Sequence, residues 1–455
     1  MTRWPYVLCA AFLLMALSPL LSASEALAAS PFSGYIDLRY RYEYQHHFNL
    51  KSYGEQPVKG ESCDGFWLQR LRIGGRWQAS DWLTLAVGMQ DSRVFDSDLN
   101  SESYFYNKRV DHEKNAYEDQ WELYQTYLEL TPFRQHNLKL RIGRQSISYG
   151  NNRIFGPGNW GNSGSYHWDA AKLSWHRGDH FVDLLWGAHI IHEPEQFSLH
   201  HRHENYGGGF YSHVQLSHQW AIEPFYVVKY DDHGNVSGES GTDDLRCHSL
   251  GSRVTGQLGP LTLDATLVGQ WGRYGNDDLR TWGGHIQLGH CFTAWPWQPT
   301  INVDYSYASG DRDPDDGTRQ TFLGVFGSRD SMYGRINLFS WSNLHDAQAT
   351  VSATPRKRLK LTMELHRFWL AAKQDGWSLN SSAYRDKTGH SGRHVGDEID
   401  LFVQWQLPTL RGVETEKINV RVGYSRFWPG EFTKNVADNV AADWLFGQIQ
   451  YNYRF

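Results

Sequence analysis

The chain is long enough at 455 residues for one large fold, and its 44 basic against 50 acidic side chains leave a formal net charge of −6. That balance offers no global attraction for nucleic acid. A mean hydropathy of −0.59 argues against a bundle of membrane-spanning helices but leaves a β-barrel open, because a barrel places its lipid-facing residues at alternate positions.

The N-terminus has the form of an export signal over residues 1–28. Arg3 supplies the positive start, Val7–Leu21 the apolar stretch, and Ala26-Leu27-Ala28 a small-x-small cleavage site. The apolar stretch is too short and wrongly flanked for a membrane anchor, so the mature protein is expected to begin near Ala29 and to form one domain over 29–455. Cys9 leaves with the signal. Cys63, Cys247 and Cys291 make no disulfide framework, although one pair could form in an oxidising compartment; no role is assigned to them.

Segments of about ten residues with apolar side chains at every second position then recur along the chain. They run over 32–46, 65–79, 82–91, 121–131, 137–146, 166–177, 180–190, 208–217 and 220–231 in the first half. The second half adds 248–258, 261–271, 281–291, 299–308, 345–353, 359–368, 397–407, 417–427 and 443–455. The total is eighteen, an even number, as single-chain bacterial barrels require. The connections alternate in length. Short turns such as Ser80-Asp81, Gly178-Asp179 and Gly259-Pro260 are separated by long polar stretches at 92–120, 191–207, 309–344 and 369–396. Short periplasmic turns and long extracellular loops give that alternation; a soluble sandwich has no reason for it.

On the final segment Leu445, Gly447, Ile449, Tyr451, Tyr453 and Phe455 share one face. An alternating strand closing on an aromatic residue resembles the signal read by the outer-membrane assembly machinery. Trp82, Trp220, Trp282, Tyr305, Tyr307 and Trp405 sit at strand ends, as aromatic girdles do. The fold expected is all-β: a single 18-stranded antiparallel transmembrane β-barrel in the outer membrane of a Gram-negative bacterium, with the lipid bilayer as its surroundings.

One stretch stands apart. From Asn137 to Trp175 a strand rises, a Gly-rich polar excursion follows over 147–165, and a strand returns. The excursion's GRQSISYGNNRIFGPGNWGNSG, with the downstream Asp169, resembles the signature of the alginate export family of outer-membrane barrels. Tyr307–Phe322, Arg385–Leu401 and Gly423–Phe432 resemble further blocks of that family in the same order. The resemblance implies a pore that passes an anionic polysaccharide outward, with periplasmic export proteins as partners.

If apolar positions face lipid, the alternate positions line a lumen. Arg39, Arg41, Arg70, Arg72, Arg76, Arg421 and Arg454 then fall on neighbouring strands as one basic wall, once the last strand closes on the first. Asp37 and Glu43 share that side, and Lys139, Arg141 and Arg253 also point inward. Asp264, Asp304, Glu364, Glu398 and Asp400 form an acidic wall opposite. Arginine clusters select anions in pores, and the planar guanidinium fork matches carboxylates. These residues are the candidate anion-binding set; mutual pairing that stiffens the wall is the competing role. Loop 92–120 is the candidate for a segment folded into the mouth, and the short 408–416 turn leaves little chain to plug the periplasmic end.

Weaker patterns yield no site. Asp311-x-Asp313-x-Asp315-Asp316-Gly317 begins like a calcium loop, but its twelfth position is Phe322 rather than Glu. His189, His192, His200, His201 and His203 match no standard metal spacing and read as surface-loop histidines. No GxSxG elbow occurs, so no enzyme, cofactor or metal is expected. The function expected is a channel for a uronate-like polymer, with an anion-selective porin for small solutes as the alternative.

Overall fold

The computed structural model describes residues 31–455 except 48–51, 54–55, 58–62, 98–105, 108–111, 114–116, 133–136, 157–159, 164–166, 191–196, 198–202, 329–331, 378–383 and 410–414. The export signal, most of loop 92–120 and three of the five loop histidines lie outside the described residues.

Eighteen strands form the wall. The first nine are β1 (Phe32–His46), β2 (Asp64–Gln78), β3 (Leu83–Phe95), β4 (Asp119–Leu123 and Thr126–Leu130), β5 (Leu138–Ser146), β6 (His167–Arg177), β7 (His180–Ile190), β8 (His203–Gln215) and β9 (Trp220–Ser237). The second nine are β10 (Thr242–Leu258), β11 (Leu261–Tyr274), β12 (Asp277–Cys291), β13 (Thr300–Ala308), β14 (Leu344–Arg356), β15 (Leu359–Trp369), β16 (His394–Leu407), β17 (Glu416–Pro429) and β18 (Ala442–Arg454). Each pairs antiparallel with its chain neighbours, and β1 also pairs with β18 from Tyr35↔Arg454 to His46↔Asp443. Closure leaves no sheet edge with unmet backbone groups, the condition for β-structure in lipid.

The burial pattern is that of a soluble protein turned inside out. Leu267, Val303 and Trp282 are 61%, 60% and 50% exposed, whereas Arg41, Asp400 and Glu398 are 0%, 0% and 1% exposed. Such an apolar outer band must meet hydrocarbon, and the alternation of side chains along each strand places the charges inside.

Two of the long connections do not stay outside. After β5, residues 147–156 and 160–163, and after β13, residues 321–328 and 332–343, run into the lumen and supply its apolar filling: Ile147, Tyr149, Phe155, Phe326, Phe339 and Trp341 are all buried in one cluster. The loops meet side by side, Phe326 N–H donating to Ile154 O at 2.9 Å and Gly156 N–H to Phe326 O at 3.1 Å. Tyr149 stacks on Tyr211 of β8 with ring centroids 4.3 Å apart, and Phe339 stacks on Phe368 of β15 at 3.7 Å. Aromatic residues that read as loop composition therefore build an internal core, which repays the entropy of ordering two long loops. Most of the 92–120 segment, the candidate for a segment folded into the mouth, lies outside the described residues.

Candidate functional site

The strand before the first inserted loop carries Gly143, Arg144 and Gln145, and each shapes the loop's entry. Gly143 has φ +126°, and a Cβ there would stand 2.5 Å from Thr126 O, so only glycine lets β5 lie this close to the broken β4. Arg144 forks onto Asp169 of β6 at 3.0 and 2.9 Å and also binds Glu122 of β4. Gln145 Nε2 donates to Ala170 O at 2.9 Å. These bonds tie β4, β5 and β6 together where the loop leaves the wall. Tyr149 then donates to Asp183 on β7 at 2.6 Å, and Arg153 reaches Tyr333 in the second loop at 2.9 Å. Asn162 is fully buried and donates to Gln69 O, Arg93 O and Tyr117 O at 2.8, 3.1 and 2.9 Å. The Gly-Arg-Gln, Tyr, Arg and Asn of the signature are the fastenings of this insertion.

On the basic wall, the strand register sets Arg39 opposite Arg70 and Asp37 opposite Arg72. Their partners are mostly uncharged. Arg39 Nη2 donates to Gly161 O at 3.1 Å and to Asn162 Oδ1 at 3.0 Å. Arg41 donates to Trp160 O at 2.8 Å, lies 4.0 Å over the Trp160 ring, and pairs with Glu43 at 2.7 Å. Arg72 donates to Gln90 Oε1 at 2.6 Å and lies 4.0 Å from the Tyr124 ring. Arg70 reaches Asp37 only at 3.6 Å, and its Nε and Nη1 have no hydrogen-bond acceptor among the described residues.

The remaining cations divide. Arg76 and Arg141 share Glu129, at 3.4 and 2.6 Å. Lys139 and Arg454 are exposed towards the short-turn end. Arg253 is locked by a fork to Asp264 at 2.8 and 2.7 Å and by Glu223 at 2.9 Å. At β10–β11, then, a lumen cation and a lumen carboxylate from neighbouring strands, Arg253 and Asp264, pair with each other. Arg421 on β17 faces Gln404 on β16, its Cα partner.

On the acidic wall, the second loop delivers the counter-charge. Arg335 forks onto Glu364 at 2.8 and 2.7 Å, while the Arg335 and Ile336 amides donate to Glu398 Oε1 at 2.6 and 3.0 Å. Gly334 makes this approach possible: its φ is +79°, and a Cβ would stand 2.6 Å from the Glu398 carboxylate. Asp304 lies on β13 beside Gln287 and His285. His366 on β15 bridges Asp346 at 3.0 Å and Asp400 at 3.8 Å.

Three spaces inside the barrel share lining residues. At the short-turn mouth a cavity of about 430 Å³ is lined by Arg358, Lys360 and Arg421 with Gln404, Asn419 and Gln450, and by no carboxylate among the described residues. Beside it, a cavity of about 320 Å³ reaches Arg153, Arg335, Asp304 and Glu364. Where the two inserted loops meet the wall, Trp160, Arg335 and Arg421 line a smaller pocket at the seam.

Arg153, Arg335, Arg358, Lys360 and Trp160 were not singled out from the sequence as lining residues. Parity assigns a side only within a strand, so a loop residue such as Arg335 leaves no periodic trace; Lys360 has the parity of Glu364 and was legible. The weaker patterns are also resolved. The buried Asp311 donates its backbone N–H to Asp375, Asp313 caps its own turn, Asp315 pairs with Lys387 at 3.8 Å and Asp316 accepts from Thr318 N–H, so these carboxylates do not converge. His189 is buried against Glu204 at 2.9 Å rather than on a surface loop. Cys63, Cys247 and Cys291 are free.

Comparison with known proteins agrees with this geometry. The alginate export family pattern matches residues 32–446. No curated protein matches the chain. Among solved structures, OpdQ of Pseudomonas aeruginosa superposes with a TM-score of 0.59 at 10% identity, covering 93% of this chain and 98% of that one. OccAB3 of Acinetobacter baumannii gives 0.60 at 9% identity, with 93% and 99% covered. OccK10 (OpdN) of Pseudomonas aeruginosa gives 0.58 at 9%, with 94% and 100% covered. At such identities the likeness shows the fold alone. With most of its length matched and a closed, inward-polar barrel, the chain belongs to the alginate export family and is an outer-membrane β-barrel channel.

Proposed function

We propose that the channel passes an anionic polysaccharide, an alginate-like uronate polymer, from the periplasm outward. The observation that carries this reading is the short-turn mouth, where Arg358, Lys360 and Arg421 line the cavity with no carboxylate among them. Such a vestibule concentrates anions on the side where an exported polymer enters, because clefts lined by one sign of charge focus the field. Above it, Arg335 and Arg421 at the seam offer further sites for carboxylates. Several weak sites permit movement where one tight site would trap the chain. In this reading the signal is cleaved after Ala28, the barrel is inserted by the outer-membrane assembly machinery of a Gram-negative cell, and periplasmic export proteins hand over the polymer.

The seam itself favours a second reading. Arg335, Arg421 and the Trp160 ring crowd this pocket, so an anion-selective porin for small solutes, which needs no room for a sugar ring, is the second reading. Single-channel recording in a planar bilayer under a salt gradient separates the two. Anion-selective current blocked by oligouronate, with block lost in Arg421→Ala, supports the polymer path. Anion selectivity indifferent to oligouronate supports the small-solute porin, and cation selectivity overturns both.

A further inference from the structure

On the acidic side of the lumen, strand register places like charges together. Glu364 on β15 and Asp400 on β16 are Cα partners, and His366 on β15 is the partner of Glu398. Directly opposed carboxylates repel, and an ionised carboxylate removed from water requires a partner. Arg335 meets Glu364, and two backbone amides meet Glu398. Asp400 has less relief: it is fully buried, and no cation or backbone amide is hydrogen-bonded to it among the described residues, only the Ser425 hydroxyl and the neighbouring Glu398 carboxyl. His366 is 1% exposed at the side chain, and its Nε2 lacks a hydrogen-bond partner while standing 3.8 Å from Asp400 Oδ2. The other ring nitrogen, Nδ1, is held by Asp346 Oδ1 at 3.0 Å.

We propose that Glu364, His366 and Asp400 bind a divalent transition cation of the zinc class. One donor atom from each of the three lies within 4.8 Å of the others, a span that small side-chain rotations close to the roughly 2 Å bonds such an ion makes. The donor set, one imidazole nitrogen with two carboxylates, suits zinc and its neighbours, whereas calcium and magnesium require more oxygens. A carboxylate on the far nitrogen is the arrangement that fixes the tautomer of a metal-bound histidine, so Asp346 is a positioning residue. The ion supplies the positive charge that the Glu364–Asp400 pair lacks. It also competes with Arg335 for Glu364, so its binding loosens the inserted loop's grip on the wall. This inference is independent of what the channel carries.

The test is titration of the purified full-length barrel in detergent with zinc chloride by calorimetry, at near-neutral pH and free of chelators. Cobalt absorption serves as the spectroscopic readout of a nitrogen–oxygen site. The wild type is expected to show a saturable site that is weakened at least tenfold in His366→Gln and in Asp400→Asn, and about 10-fold to 100-fold in Asp346→Asn. Arg335→Gln is expected to bind more tightly, because a competing cation is removed. Heat-modifiable gel migration checks that each variant has folded. Absence of saturable binding up to about 1 mM overturns the proposal. So does binding that survives His366→Gln and Asp400→Asn but disappears when His192, His200, His201 and His203 are replaced.

Discussion

The two sides of the lumen receive an inserted loop in opposite electrostatic ways. On the basic side, β17, β18, β1 and β2 meet loop residues 160–162, which offer carbonyl oxygens, an amide and an indole ring to Arg39 and Arg41. On the acidic side, β14 to β16 meet Arg335, which brings a full positive charge and two backbone amides to Glu364 and Glu398. The loop itself brings Arg39 and Arg41 neutral acceptors, whereas Arg335 brings a carboxylate a full positive charge. The lumen's field is thus set by unequal neutralisation rather than by the number of acids and bases on the wall. Asp37 and Glu43 temper the basic side but do not balance it: Asp37 accepts from Gln450 at 2.7 Å and stands 3.6 Å from Arg70.

The largest effect is expected from removing the charged loop. Replacing most of 309–343 with a short Gly/Ser turn takes Arg335, Phe339 and Trp341 out of the lumen, and single-channel conductance should rise by an order of magnitude. Unchanged conductance would place the barrier in the 147–165 loop instead.

Next is the neutral anchor. Asn162→Ala strips one buried amide from three carbonyls and removes an acceptor of Arg39. Leaving such groups unmet costs about 2–4 kcal/mol, to be read from urea unfolding followed by tryptophan fluorescence. A loss below about 0.5 kcal/mol would show that the loop is held chiefly by its aromatic packing.

Selectivity tests the asymmetry itself. Arg70→Gln, which removes a charge met only by Asp37 at 3.6 Å, should lower the anion-to-cation permeability ratio roughly threefold. Glu364→Gln should raise the ratio, because it frees Arg335. Equal and opposite changes of the same size would instead follow from simple charge counting, and reversal potentials distinguish the outcomes.

A smaller, pH-dependent effect lies outside the membrane span, where Asp311 packs near Glu239 and Asp375. Burial first, then the Glu239 carboxyl beside it, pushes Asp311 up to about 7 from its usual value near 3.8. The folded loop therefore holds more protons than the unfolded chain between those values, so its stability falls as pH rises through that window. Amide hydrogen exchange at Thr321 and Phe322 should be slower at the acid end, and Asp311→Asn should abolish the trend. The reverse slope would refute the assignment. Smallest of all is Lys387→Ala, which breaks a pair to Asp315 between two highly exposed side chains; thermal unfolding should not move measurably.

Much of the wall was legible in the linear chain. Alternation of Tyr40, Tyr42 and Tyr44 against Arg39, Arg41 and Glu43 is a local property of extended backbone, so it fixes which face each residue takes. The closing of β18 on β1 follows from the requirement that no edge remain open in lipid. Strand ends were less legible: β9 and β10 run to Ser237 and from Thr242, beyond the apolar alternation, since hydrogen bonding alone extends a hairpin into water. His189 was misjudged because a strand residue and a loop residue look alike where apolar alternation ends.

The amino-acid order by itself therefore determined the barrel and its strand number, because these depend on side-chain parity and on satisfying the backbone. It also carried the loop signature, whose Arg144, Asn162 and Asp169 now have contacts. Which loops enter the lumen, that Arg335 meets Glu364 while loop carbonyl and amide oxygens meet Arg39, and that Asp400 comes to lie opposite Glu364 beside His366 were decided by tertiary structure. Those outcomes depend on distances between residues far apart in the chain, and long-range packing leaves no period in the sequence from which to read them.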